Sequence, residues 1–188
     1  MIQWLQRKMI PVTRYFGNLA APWTVKGVTG EDYARVKTLI VPGDILVARA
    51  MGHFSNWMIP GYWKHAAIMG PHGTVIEAIS SGVRETDLIT FLTSKDEVAV
   101  VRPTFCGKWV ANNAAESAEV WLGAVYDYEF SLGNKAFYCA ELCYVAYKTA
   151  YPGMGFAPRE RLGVLTVTAD DFFQAKAFWK SVYDSRDH

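Results

Sequence analysis

Apolar positions at the start of the chain recur every three or four residues: Ile2, Leu5, Met9, Val12 and Phe16. That spacing marks one face of a helix, which Pro11 must break or kink. Residues 31–39 predict a second short helix, entered through Thr29-Gly30. After the turn sequence Pro42-Gly43-Asp44 the pattern shortens. Residues 45–48 are a brief apolar run, and residues 65–69 and 74–79 flank Gly70-Pro71-His72-Gly73 as the two arms of a hairpin. Residues 83–86 predict a short strand and 97–102 a clear one. Beyond Pro103 the helical period returns, with Val110, Ala114, Ala118, Trp121 and Val125 on one face. Residues 139–150 form a further helix closed by Tyr151-Pro152-Gly153, and 164–167 read as a late strand. Thr168, with Asp171 three residues on, reads as a helix cap, and the final helix turns Phe172, Ala175, Trp179 and Val182 inward. Strands gathered in the middle with helices on either side indicate an α+β fold with an antiparallel sheet. No linker or repeat divides the 188 residues, so one domain is expected, with a helical N-terminal extension over 1–40 and the core over 41–188.

Composition narrows the partners. Hydrophobic residues make up 51% and charged residues 20%, which leaves no compositional case for disorder. Nineteen basic residues against eighteen acidic ones give a net charge of +1, too little field for a nucleic-acid binder. Aromatics reach 14%, enough for a ring-rich core or for a groove that takes an apolar or extended ligand. Three cysteines are too few for a disulfide framework, and His53, His65, His72 and His188 are too scattered for a metal site, so no metal and no cofactor is expected. The N-terminal stripe, flanked by Arg7, Lys8 and Arg14, fits docking on its own domain better than contact with a membrane surface. No apolar signal or membrane-spanning segment follows those basic residues, so a cytoplasmic setting is the expectation.

Three residues carry candidate chemistry. His65 and Glu77 lie on the two arms of the hairpin and share a face only if the pairing has the right parity. Pairing Met69 with Gly73 sets 65 opposite 77, whereas pairing Met69 with Thr74 turns Glu77 to the other face. The two therefore meet only across an odd loop of three or five residues. In that register the carboxylate holds the imidazole's tautomer and favours its cation. Each residue alone is equally well a surface or satisfied polar group. Cys139, in Phe137-Tyr138-Cys139-Ala140-Glu141-Leu142-Cys143, stands where a loop becomes a helix. Free amides and the dipole there favour a thiolate and can receive an oxyanion. Cys143, one turn further in, reads as core packing, and Cys106 has neither a helix start nor a base beside it.

Pro42-Gly43-Asp44-Ile45-Leu46, His65-Ala66-Ala67-Ile68, Val75-Ile76-Glu77-Ala78 and Tyr138-Cys139-Ala140-Glu141-Leu142, in that order, resemble the permuted branch of the NlpC/P60 papain-like superfamily, in particular its YiiX/YebB-like group. The resemblance spans roughly residues 40–150. It implies a circularly permuted papain-like fold and a triad of Cys139 as nucleophile, His65 as base and acid, and Glu77 as orienting carboxylate. It also implies that Tyr126, in Leu122-Gly123-Ala124-Val125-Tyr126-Asp127, and Tyr138 are substrate-binding candidates. Ala140 departs from the serine many relatives carry after the cysteine. The function implied is a cysteine hydrolase that acts on an amide or isopeptide bond of a peptide. An acyl-lipid hydrolase or transferase, or a non-catalytic lipid- or peptide-binding module, are the alternatives.

Overall fold

The computed structural model describes residues 27–50, 61–133, 135–161 and 163–187. The N-terminal stripe from Ile2 to Phe16 lies outside them. Helix α1 (Gly30–Leu39) starts at Thr29, whose side chain and that of Asp32 form a reciprocal cap. Strand β1 (Ile45–Arg49) follows, entered through Gly43, whose φ is +86° and where a Cβ would fall 2.4 Å from the Ala111 carbonyl oxygen. Next come β2 (His65–Met69), β3 (Thr74–Ile79), β4 (Gly82–Asp87), α2 (Leu88–Thr93) and β5 (Glu97–Pro103). The second half holds α3 (Lys108–Glu119), α4 (Cys139–Ala150), the small ribbon β6 (Arg159–Arg161) with β7 (Val164–Thr166), α5 (Ala169–Gln174) and β8 (Trp179–Asp184).

Among the described residues six strands make one antiparallel sheet in the order β4-β3-β2-β1-β5-β8. Both of its faces are covered, which is why β1, β2 and β5 read as unbroken apolar runs rather than alternating ones. Ile45, Val47, Ala66, Ile68, Ala99 and Val101 face α3, α4 and α5. Leu46, Ala48, Ala67, Val98 and Val100 face α1 and α2. Asp44, at the entry to β1, is buried and is held by the Arg102 guanidinium through two bonds of 2.8 and 2.7 Å.

Two expected helices are shorter than their apolar periods suggest. Helix α3 stops at Glu119 and buries Ala111, Ala114, Ala115 and Ala118, while Val125 is left exposed beyond it. The terminal segment holds only the α5 helix, and Trp179 and Val182 belong to the edge strand β8. A bulge opposite Val100 and Val101 leaves Val182 unpaired, so Trp179 enters one core and Tyr183 the other. That offset imitates a helical period.

The cap foreseen at Thr168 is present: the Asp171 carboxylate accepts from the Thr168 amide at 2.8 Å and from its hydroxyl at 3.0 Å. Thr168→Ala is expected to cost about 1 kcal/mol, read as a lower urea midpoint at unchanged m.

Candidate active site

The β2–β3 hairpin pairs Met69 with Val75 and Ala67 with Glu77. Five residues thus separate Met69 from Val75, and the Gly70 amide closes on the Thr74 carbonyl at 2.8 Å. Glu77 lies diagonally across from His65 on one face rather than directly opposite. The parity is right, and the longer carboxylate reaches the ring: Nε2 of His65 donates to Oε2 of Glu77 at 2.8 Å. Glu77 is itself fixed from strand β4. Arg84 donates to Oε1 through Nε and Nη2 at 3.1 and 2.9 Å, and the Thr86 hydroxyl donates to the same oxygen at 2.7 Å. Burial alone would raise the Glu77 carboxyl, but the His65 ring and its charge, the Thr86 hydroxyl and the nearby Lys95 ammonium hold it well below the usual carboxylate range.

The two anchors from β4 escape a reading of the sequence that stops at one hairpin. Ser80-Ser81 is a two-residue turn that pairs Ile79 with Gly82, and continuing that register sets Glu77 opposite Arg84 and Thr86 one diagonal away. The signal is present in the chain and needs the second hairpin to be extended.

Cys139 begins α4 directly after its cap, Tyr138, whose backbone is extended at φ −91° and ψ 167°. The helix forms here because Leu142, Cys143, Ala146 and Tyr147 bury one stripe against β2 and β3. His65 and Glu77 occupy the sheet face that looks to α2, while α4 lies on the other. They come together because His65 is the first residue of β2, at the end of the sheet. Burial alone would raise the Cys139 thiol, but the His65 ring, its charge and the amides of Ala66 and Ala140 outweigh it, and the pKa falls below the ordinary thiol value. Burial alone would likewise lower His65, yet its bonds to Cys139 and Glu77 raise it. With Nε2 taken by Glu77, Nδ1 is the nitrogen left for the sulfur. A thiol displaced downward beside an imidazole displaced upward is the arrangement that favours passage of the proton from sulfur to ring.

The remaining candidates divide. Tyr126 is half-buried, packs on the rings of Tyr128 and Phe130, and feels the charge of Cys139, which with burial pushes its phenol up. Tyr138 does not offer itself to a substrate. Its ring is 2% exposed, and its hydroxyl bonds Thr166 Oγ1 at 2.9 Å and accepts from the Val167 amide at 3.0 Å, tying the start of α4 to β7. Position in the motif suggested the site, but packing gives the side chain to the core. Cys143 is buried and its thiol is pushed well up by desolvation, and burial also raises Cys106. Glu141 is buried in the first turn of α4, where desolvation lifts its carboxyl to about 7 although the Gly133 amide donates to it at 3.2 Å.

A sheet whose histidine-bearing hairpin precedes the helix that carries the thiol is a papain-like architecture in permuted order. Residues 40–183 match the family described as permuted papain-like amidase enzyme, YaeF/YiiX, C92 family, and the chain belongs to that family. Its character is therefore cysteine-amidase-like. A solved structure, described as the metalloprotein yiiX from Escherichia coli O157:H7, aligns with a TM-score of 0.65 over 77% of this chain and 97% of its own, at 19% identity. At that identity the likeness is one of fold. A search of curated proteins finds no match. Among the described residues no helix is long and apolar enough to cross a membrane.

Proposed function

We propose that this protein hydrolyses an amide or isopeptide bond through an acyl-enzyme on Cys139. The observation that carries the reading is the connected line from the Cys139 sulfur through the His65 ring to Glu77, with Glu77 held in turn by Arg84 and Thr86. The thiolate adds to the carbonyl carbon, and the carbonyl π pair moves onto oxygen. Amides at the start of α4, Ala140 among them, are the donors proposed to receive that developing charge. As the intermediate collapses, the C–N bond breaks and the imidazolium of His65 gives its proton to the departing amine. His65, now neutral, takes a proton from water, whose oxygen attacks the thioester. The acid is released and the thiolate–imidazolium pair is restored. Throughout, Glu77 stays ionised, fixes the ring and favours its cation. Tyr126, half-buried and within electrostatic reach of the sulfur, is the side chain proposed to contact the acyl donor.

The structural neighbour is described as a metalloprotein. Among the described residues of this chain no group of three His, Cys, Asp or Glu side chains is arranged to hold a metal ion. The described residues do not fit a metal centre.

A pH series of iodoacetamide alkylation, resolved by cysteine with mass spectrometry, tests the reading. Cys139 is expected to react first, with an apparent pKa below the free-thiol value of about 8.5, and to lose that advantage in His65→Ala. Cys106 and Cys143, both displaced upward, serve as internal references. Cys139 titrating as an ordinary thiol in the parent chain would overturn the reading.

A further inference from the structure

Beside the site lies a cation that the proposed steps do not use. Lys95 follows α2, and its ammonium rests 4.9 Å from the centre of the Phe91 ring. The same ring packs against His65, with centroids 5.9 Å apart. One phenyl ring therefore supports both the imidazole and the ammonium. Among the described residues the ammonium has no acceptor, and no carboxylate stands within ion-pair range of it. Burial lowers the pKa of the Lys95 ammonium, and Glu77 and Cys139 act on it only through space, the oxygens of Glu77 being occupied by His65, Arg84 and Thr86.

The local charges do not cancel. Arg84 is ion-paired to Glu77 at 2.9 Å, and Glu77 is bonded to His65 as well, so Lys95 is the cation here that has no ion-pair partner among the described residues. It is half-buried, where an uncompensated ammonium costs more than it would in water. An anion brought by the substrate would remove that cost and gain from weak screening.

We propose that Lys95 is a specificity residue that receives a carboxylate carried by the acyl donor close to its scissile carbonyl, so that the preferred substrates are acidic at that position. This rests on the acyl-enzyme reading above. Iodoacetate and iodoacetamide separate the two ideas, because both place the same carbon on the sulfur and release iodide, and they differ by one carboxylate. Rates at Cys139 are to be measured with each reagent, at a pH where both have reached their plateau, in the parent, Lys95→Met, Lys95→Gln and Lys95→Arg. The iodoacetate-to-iodoacetamide ratio is expected to fall about five- to tenfold in Lys95→Met and Lys95→Gln, and to return with Lys95→Arg, the ratio at Cys106 staying constant. Using two neutral variants keeps the result independent of how either one packs.

An unchanged ratio in the neutral variants, with iodoacetamide alkylation of Cys139 still dependent on His65, would overturn the role of Lys95 and leave the acyl-enzyme reading standing. Loss of that His65 dependence in the parent chain would overturn both.

Discussion

Cys139→Ala is expected to lower amide turnover by a factor on the order of 10⁴ or more, with no comparable loss of stability. The substitution removes the atom that forms the acyl bond and leaves nothing else at the start of α4 to replace it. The fold has little reason to respond. Alanine is the best helix former, the side chain shortens by one atom, and Tyr138 still anchors the helix start through Thr166 and Val167. His65→Ala should cost nearly as much, and the double variant no more than the worse single one, since thiol and imidazole act as a unit. kcat/KM on a fluorogenic acyl amide, with circular dichroism melts of each variant, measures both halves of the statement. Turnover within tenfold of the parent in Cys139→Ala would remove this cysteine from the chemistry.

Much of this arrangement is legible in the chain, and the illegible parts have physical causes. The hairpin from His65 to Ile79 announces itself because Gly70-Pro71-His72-Gly73 permits little else between two apolar runs. The α4 bounds follow from one continuous stripe ended by Tyr151-Pro152-Gly153. The meeting of His65 with Glu77 reduces to parity, which a loop length decides. Errors fall where local pattern and tertiary pairing disagree. Trp179 and Val182 sit at helical spacing from Phe172, yet they lie on an edge strand whose bulge breaks the two-residue alternation. Tyr138 adjoins the cysteine in sequence, yet its ring is buried and its hydroxyl is taken by Thr166 and Val167. Short α2 has too few residues for a period to emerge, and with it Phe91 and Lys95 pass unnoticed. Arg84 and Thr86 matter only through Glu77, which a search for reactive side chains does not reach.

Glu77→Gln tests that supporting layer, and its expected effect is a fall in kcat/KM of about 10²- to 10⁴-fold together with a displaced pH profile. In the parent, activity should rise with pH as Cys139 loses its proton and fall again as the His65 imidazolium loses its own. Cys139 is lowered and His65 raised, so the working window lies between these two apparent values. Glu77, far below the usual carboxylate range, stays ionised across the window and contributes no limb. Glutamine removes the negative charge that favours the imidazolium, so the His65 pKa must drop and the alkaline limb move to lower pH. The thiolate then loses part of its cationic partner, so the acid limb moves up and the window narrows from both sides. Arg84 and Thr86 still have an amide oxygen to bond, which keeps the β3–β4 pairing in place and makes the change one of charge rather than of fold. The profile of kcat/KM in Glu77→Gln, set against its melting temperature, distinguishes the cases. A uniform loss at every pH with a lower melting temperature would make Glu77 a brace for the sheet. A narrowed profile on a stable fold makes it the group that holds the imidazole charged.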